Sequence, residues 1–219
     1  MGVSLSISVR NQSGRNGAKP SLIVIHTTEG HERPGVSDLY GLASWFNNPA
    51  SQASSHVGND AEGNEVRMVP DSRKAWTQAM MNPVSLSAEL IGFARETRKE
   101  WLAQPKQLEV TAQRIATWSK AHNIPIRRGS VSSGGSVRMS GVVSHDELPG
   151  THTDPGKGFP WDVVLKRARE IKVGLEPRKV KKWKRSLQIV RAKAARRGWL
   201  LPYRLRARKL KKLIEREEK

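Results

Sequence analysis

The sequence predicts a mixed α/β sheet flanked by helices, followed by a basic helical C-terminal appendage. Three observations carry that prediction. Short, β-branched apolar runs alternate with segments of helical period through the first 173 residues, the pattern of strands covered by helices. Hydrophobic residues make up 37% and charged residues 27% of the 219, enough apolar material for one ordinary core. The formal charge of +19 is uneven: residues 174–219 hold 18 Lys/Arg against four Glu, a net +14 that leaves +5 for residues 1–173. The break falls at Val173-Gly174-Leu175, where Gly174 and Pro177 also interrupt helix, so two modules are predicted, 1–173 and 174–219.

The elements follow in chain order. Ser21 to Ile25 is an apolar run after a Gly/Asn/Pro-rich lead and reads as a strand buried on both faces, central in its sheet. Ser37 to Asn47 carries Leu39, Leu42, Trp45 and Phe46 at helical spacing, with Ser37 as its expected cap. Ser54 to Asn59 and Glu65 to Val69 flank the turn-rich Asp60-Ala61-Glu62-Gly63-Asn64 and read as a hairpin. Ser85 to Phe93 is a further strand. Pro105 to His122 is a helix opened by proline, with Leu108, Ala112, Ile115, Ala116 and Trp118 on one face. Residues 127–140 form a Gly/Ser/Arg loop, Gly141 to Ser144 a last strand, and Trp161 to Ile171 a closing helix.

Composition removes several chemistries. The chain has no cysteine, so disulfides, thiol nucleophiles and thiolate metal sites are excluded, and any metal must sit on His, Asp or Glu. The N-terminal stretch has no unbroken apolar core of a secretory signal, and no run approaches ~18 apolar residues. Synthesis in a cytoplasm is expected.

Candidate chemistry lies where strands end. His26 closes the first buried strand, His145 the last, and Asp154 follows nine residues on in Thr153-Asp154-Pro155-Gly156. Two imidazoles and a carboxylate are the number and type of ligand that a catalytic zinc takes while keeping a position open. Singly, each residue has a plain reading: a histidine leaving the core at a strand end, an aspartate in a turn before proline. The 119-residue separation of His26 and His145 is no signature by itself.

Six segments in order bring these residues under one pattern: SLIVIHTTEG, SSHVGNDAEGNEVRMVPDSRKAWTQA, NPVSLSAELIGFA, the helix ending in KAHNIPI, VVSHDELPG and HTDPGKGFPWDVV. Over roughly residues 20–166 they resemble the amidase type 2 family, related to peptidoglycan recognition proteins and including bacteriophage endolysins. The resemblance implies a Zn2+ enzyme that hydrolyses the bond between N-acetylmuramic acid and L-alanine in bacterial peptidoglycan. It assigns His26, His145 and Asp154 as zinc ligands and Glu89 as the carboxylate that activates water. His152 stands where many relatives carry a lysine taken to stabilise the oxyanion, and Ser55 where some phage relatives carry a catalytic tyrosine, so Glu89 must carry more of the base role. His56 matches a histidine near the metal in relatives, or is a hydrogen-bonded structural residue. Trp76 matches a position near the substrate groove, or is core. His31 and His122 are read as surface residues.

In the second module, Val180, Trp183, Leu187, Val190 and Ala194 recur at three and four through Arg178 to Arg197, and Tyr203 to Glu218 follows as a second basic helix. Attachment to an anionic wall polymer or a membrane surface through residues 178–214 is preferred to nucleic-acid binding, because the first module's implied substrate lies in an anionic wall. A self-packed helical hairpin with solvated charges is the plainer reading. The expected whole is a monomeric phage endolysin, made in the host cytoplasm and reaching the wall after the membrane is opened. The alternatives are an intracellular amidase recycling wall fragments and a non-catalytic peptidoglycan- or nucleic-acid-binding protein.

Overall fold

Leu22, Ile23, Val24 and Ile25 are all fully buried, and the strand they build lies between two parallel neighbours, as a run apolar on both faces requires. The computed structural model describes residues 2–174, 185–190, 208, 209 and 211. In chain order the strands and helices are β1 (Ser4–Ser6), β2 (Gln12–Gly14), β3 (Leu22–Thr27), α1 (Ser37–Asn47), β4 (Val57–Asn59), β5 (Glu65–Arg67), β6 (Arg73–Ala75), β7 (Ser85–Leu90), α2 (Arg98–Leu102), α3 (Pro105–His122), β8 (Ser130–Val131), β9 (Val137–Met139), β10 (Gly141–Ser144) and α4 (Trp161–Lys172). The six-stranded central sheet has the order β1-β5-β4-β7-β3-β10. Its β4–β5 pair is the expected antiparallel hairpin, and its other pairings are parallel.

Two apolar clusters hold helix and sheet together. Leu39, Ala43 and Phe46 of α1 pack with Val66, Met68, Val69 and Ile91, while Leu22 and Val24 of β3 pack with Met81, Val143 and Leu148. Helix α3 buries Leu108, Ala112, Ile115, Ala116 and Trp118, the face its period predicts, together with Gln107, Thr111 and Ser119. Pro105 occupies its first turn, where a missing N–H costs nothing.

Several expectations need correction. Ser37 does not cap α1: the cap position is Val36, without a side-chain bond, and buried Asp38 instead receives the Arg33 amide and Nε, both at 2.6 Å. Trp45 is 58% exposed, because the buried stripe runs Leu39-Ala43-Phe46. The loop at 127–140 contains the β8–β9 hairpin. Strand β7 stops at Leu90, ahead of Gly92 at φ +144°, and β1, β2, β6 and α2 were not anticipated.

The chain divides into two compact units, Met1–Ala168 and Arg169–Lys219. In the second, α4 ends at Lys172 and residues 185–190 are helical. Residues 208, 209 and 211 are also helical, and the rest of the basic helices expected over 178–197 and 203–218 lies outside the described residues. Among the described residues no helix is long and apolar enough to cross a membrane.

Candidate active site

Parallel pairing puts the ends of β7, β3 and β10 side by side on one edge of the sheet, and the candidate residues lie on that edge. His26 is one residue short of the end of β3, which runs on to Thr27, and stands in register with Glu89 of β7. His145 follows β10 directly, as the first residue of a short 3-10 turn closed by a capping box between Ser144 and Glu147. Asp154 returns to the same place because its carbonyl accepts from the Asp146 amide and the Ser144 hydroxyl, both at 3.1 Å.

The donor atoms converge. His26 Nδ1 is 3.3 Å from Asp154 Oδ2, and His145 Nδ1 is 3.0 Å from Oδ1, with the two imidazole centroids 4.2 Å apart. A tetrahedral zinc with ligands at ~2.0–2.1 Å separates neighbouring donors by about 3.3 Å; the two pairs through Asp154 match that spacing, all three donors lie within 4.8 Å of one another, and their chemistry suits the ion. The Thr27 amide donates to Asp154 Oδ2 at 3.3 Å and fixes the carboxylate from the protein side.

Electrostatics follow from burial. Burial lowers the His26 pKa to about 4, against the opposing hydrogen bond to Asp154, so the ring is neutral and able to ligate at pH 7. Burial alone would raise Asp154, but hydrogen bonds with His145 and His26 hold it far below the ordinary carboxylate range. Glu89, 8% exposed, is pushed well above that range by burial first, then by Asp154 and Glu29. A buried carboxyl held near His26, His145 and Asp154 is the disposition of a proton-transfer group.

His152 lies flat on His145, with ring centroids 3.6 Å apart and planes 18° apart. Gly150 makes room for it: at φ +129°, a Cβ there would come 2.5 Å from His152 Nε2. Burial and His145 lower the His152 pKa, so its ring is neutral at pH 7. A cleft of ≈ 520 Å³ opens beside it, lined by Arg95, Glu96, Asp146, Thr153 and Lys157. A larger hollow of ≈ 620 Å³ lies at Gly2, Glu65, Lys106 and Glu109; it contains none of the candidate residues, so the chemistry favours the smaller cleft.

The remaining histidines separate. His56 is buried in a network with Arg15, Ser87 and the Arg73 carbonyl, which is the structural reading. Ser55 donates to the Ser87 carbonyl, and Trp76 is half-buried with its indole N–H on Ser13. His31 is exposed, as expected. His122 is not simply a surface residue: it is half-buried, with Nε2 3.1 Å from Asp71 Oδ2. Sequence reasoning also missed Glu29, whose Oε1 accepts from the Thr27 hydroxyl at 2.7 Å and the Ala94 amide at 2.8 Å. Its only signal was an acidic residue two positions past the end of β3.

Imidazole, carboxylate and a buried proton acceptor beside an open cleft are groups for adding water across a polar bond, so fold and site define a hydrolase on a mixed α/β sheet. The chain belongs to the N-acetylmuramoyl-L-alanine amidase family (amidase type 2), which matches residues 16–157. It is 29% identical over 150 residues to N-acetylmuramoyl-L-alanine amidase A of Achromobacter lyticus, covering 64% of this chain and 78% of that protein. Its fold is similar to that of the Staphylococcus aureus hydrolase AmiA, solved in complex with its ligand (TM-score 0.58, 17% identity, 80% of this chain and 86% of that one). It is also similar to a selenomethionine derivative of AmpD (TM-score 0.57, 18% identity, 75% of this chain and 93% of that one). Its activity is accordingly that of an N-acetylmuramoyl-L-alanine amidase, with peptidoglycan as the substrate class.

Proposed function

We propose that the chain is a zinc-dependent amidase that serves as a bacteriophage endolysin, with His26, His145 and Asp154 as ligands, Glu89 as general base and His152 as oxyanion partner. The observation that carries this reading is the convergence of three donors within 4.8 Å of one another beside a buried carboxyl. Zinc, when bound, supplies the Lewis acidity that polarises a carbonyl and makes water more acidic.

The residues supply the rest. Glu89 takes a proton from water as the water oxygen bonds to the carbonyl carbon of the muramoyl lactyl group. It returns that proton to the L-alanine nitrogen as the C–N bond breaks, leaving a carboxylic acid and a free amine. The raised pKa, set first by burial and then by Asp154 and Glu29, suits the return of the proton, and a bound cation would favour the charged form in which Glu89 accepts it. Neutral His152 offers an N–H to the carbonyl oxygen as it gains charge.

We further propose that residues 174–219, net +14, form a module that holds the enzyme to an anionic wall polymer or membrane surface, and that the monomer is made in the host cytoplasm and acts after the membrane is opened. Soluble wall fragments would give a recycling amidase no evident use for that charge.

The test is free-amine and reducing-end assays on zinc-loaded protein digesting peptidoglycan, with His26→Ala alongside. New amino termini at L-alanine without new reducing sugars, lost in the variant, support the reading. No release from walls of several chemotypes, despite bound zinc, overturns it.

A further inference from the structure

A histidine that ligates through Nδ1 carries its proton on Nε2, and in a buried site that N–H needs an acceptor. His26 turns Nδ1 to Asp154, which leaves Nε2 as the outward atom. It is buried and has no hydrogen-bond partner among the described residues. A complementary atom is in the same condition: Gln78 is 6% exposed, and its Oε1 is buried and without a partner.

The two belong to one neighbourhood. Register pairs Val24 with Ser87 and His26 with Glu89, so all four side chains share a face of the sheet. Thr77 Oγ1 lies 2.9 Å from Ser87 Oγ on that face. Asn82 Oδ1 then accepts from the Thr77 amide at 3.0 Å and the Gln78 amide at 2.7 Å, which pins the turn carrying Gln78 in place.

We propose that Gln78 is the outer partner of the ligand His26, its Oε1 accepting the Nε2–H and so fixing the ring plane and the tautomer that leaves Nδ1 for the metal. The inference rests on the zinc reading above. Gln78 is a positioning residue and touches neither substrate nor ion. It accounts for burying a long amide at all, since an amide left without a partner costs free energy.

The experiment is competition for zinc against a chromophoric chelator on the full chain, with thermal unfolding of the metal-free forms. Gln78→Leu should lower zinc affinity by about 10–100-fold without moving the metal-free Tm. Gln78→Glu, which keeps an acceptor, should restore it. Should Gln78→Leu fail to fold, Gln78→Asn retains the amide but falls short of the ring and should show the same loss. Zinc held at wild-type strength by Gln78→Leu or Gln78→Asn would overturn the assignment, as would equal losses in Gln78→Leu and Gln78→Glu. Wild-type protein that binds no zinc, or His26→Ala that binds it unchanged, would remove the zinc reading itself.

Discussion

His56 offers a test that separates a structural histidine from a metal neighbour. Its ring is 1% exposed, with the Ser87 amide donating to Nδ1 at 3.1 Å and the Arg15 guanidinium 2.9 Å from Nε2. Burial first, and then Arg15, lower its pKa to about 3. In the unfolded chain a histidine titrates near 6.5, so on acidification the unfolded state binds the proton first. Stability is therefore full above about pH 6.5 and is lost progressively as pH falls towards 3. Between pH 7.5 and 5 this one residue should remove about 2 kcal/mol, roughly a thirtyfold shift in the unfolding equilibrium. The assay is urea denaturation of metal-free protein at both pH values, for wild type and His56→Gln. Other histidines titrate in both proteins and cancel. Wild type should lose about 2 kcal/mol more than the variant, whose zinc affinity should be unchanged. Equal pH losses, or a variant that no longer holds zinc, would refute the argument.

Glu89→Gln keeps shape but not basicity, and should reduce amide hydrolysis by about 10²–10⁴-fold while zinc, measured by metal analysis, stays bound. His152→Ala should lower kcat by about 10²–10³-fold with KM little altered, read from steady-state kinetics on a muramoyl-peptide. Gly156→Ala would set a Cβ 1.8 Å from the Ala94 carbonyl oxygen at φ +85°, and should destabilise the fold by at least about 1–3 kcal/mol in urea denaturation.

What the sequence disclosed tracks how strongly each residue's neighbours in the chain constrain it. β3, β10 and α3 were legible because apolar runs and a 3.6-residue period are local signals. β1, β2, β6, β8 and β9 hold two or three residues each, too few to show a period. The capping box at Thr97 and Glu100 was visible in principle, and the five-residue α2 it opens was missed for its brevity. At the site, His26, Glu89, His145 and Asp154 come together as the family pattern implied. The network around His56 was only half legible, because Arg15 is satisfied by the carbonyls of Asp71, Asn82, Pro83 and Ser85, and backbone atoms leave no mark on a sequence. Gln78 is hidden for a similar reason: its partner is a ring atom fifty-two positions earlier.

The parallel arrangement of β7, β3 and β10 also sets when the molecule becomes competent during its own manufacture. β3 leaves the ribosome early, but both strands that flank it are made much later, and the third donor is residue 154. Chains emerge N-terminus first, and pairings this distant close late. A chain that stops short of residue 154 thus carries at most two of the three candidate donors. On the proposed zinc reading, the capacity to hold a metal, and with it the capacity to cut, would arrive only after nearly the whole first unit has been synthesised and its strands have found their register. A nested set of chains ending on either side of Asp154 should gain tight zinc binding in a single step.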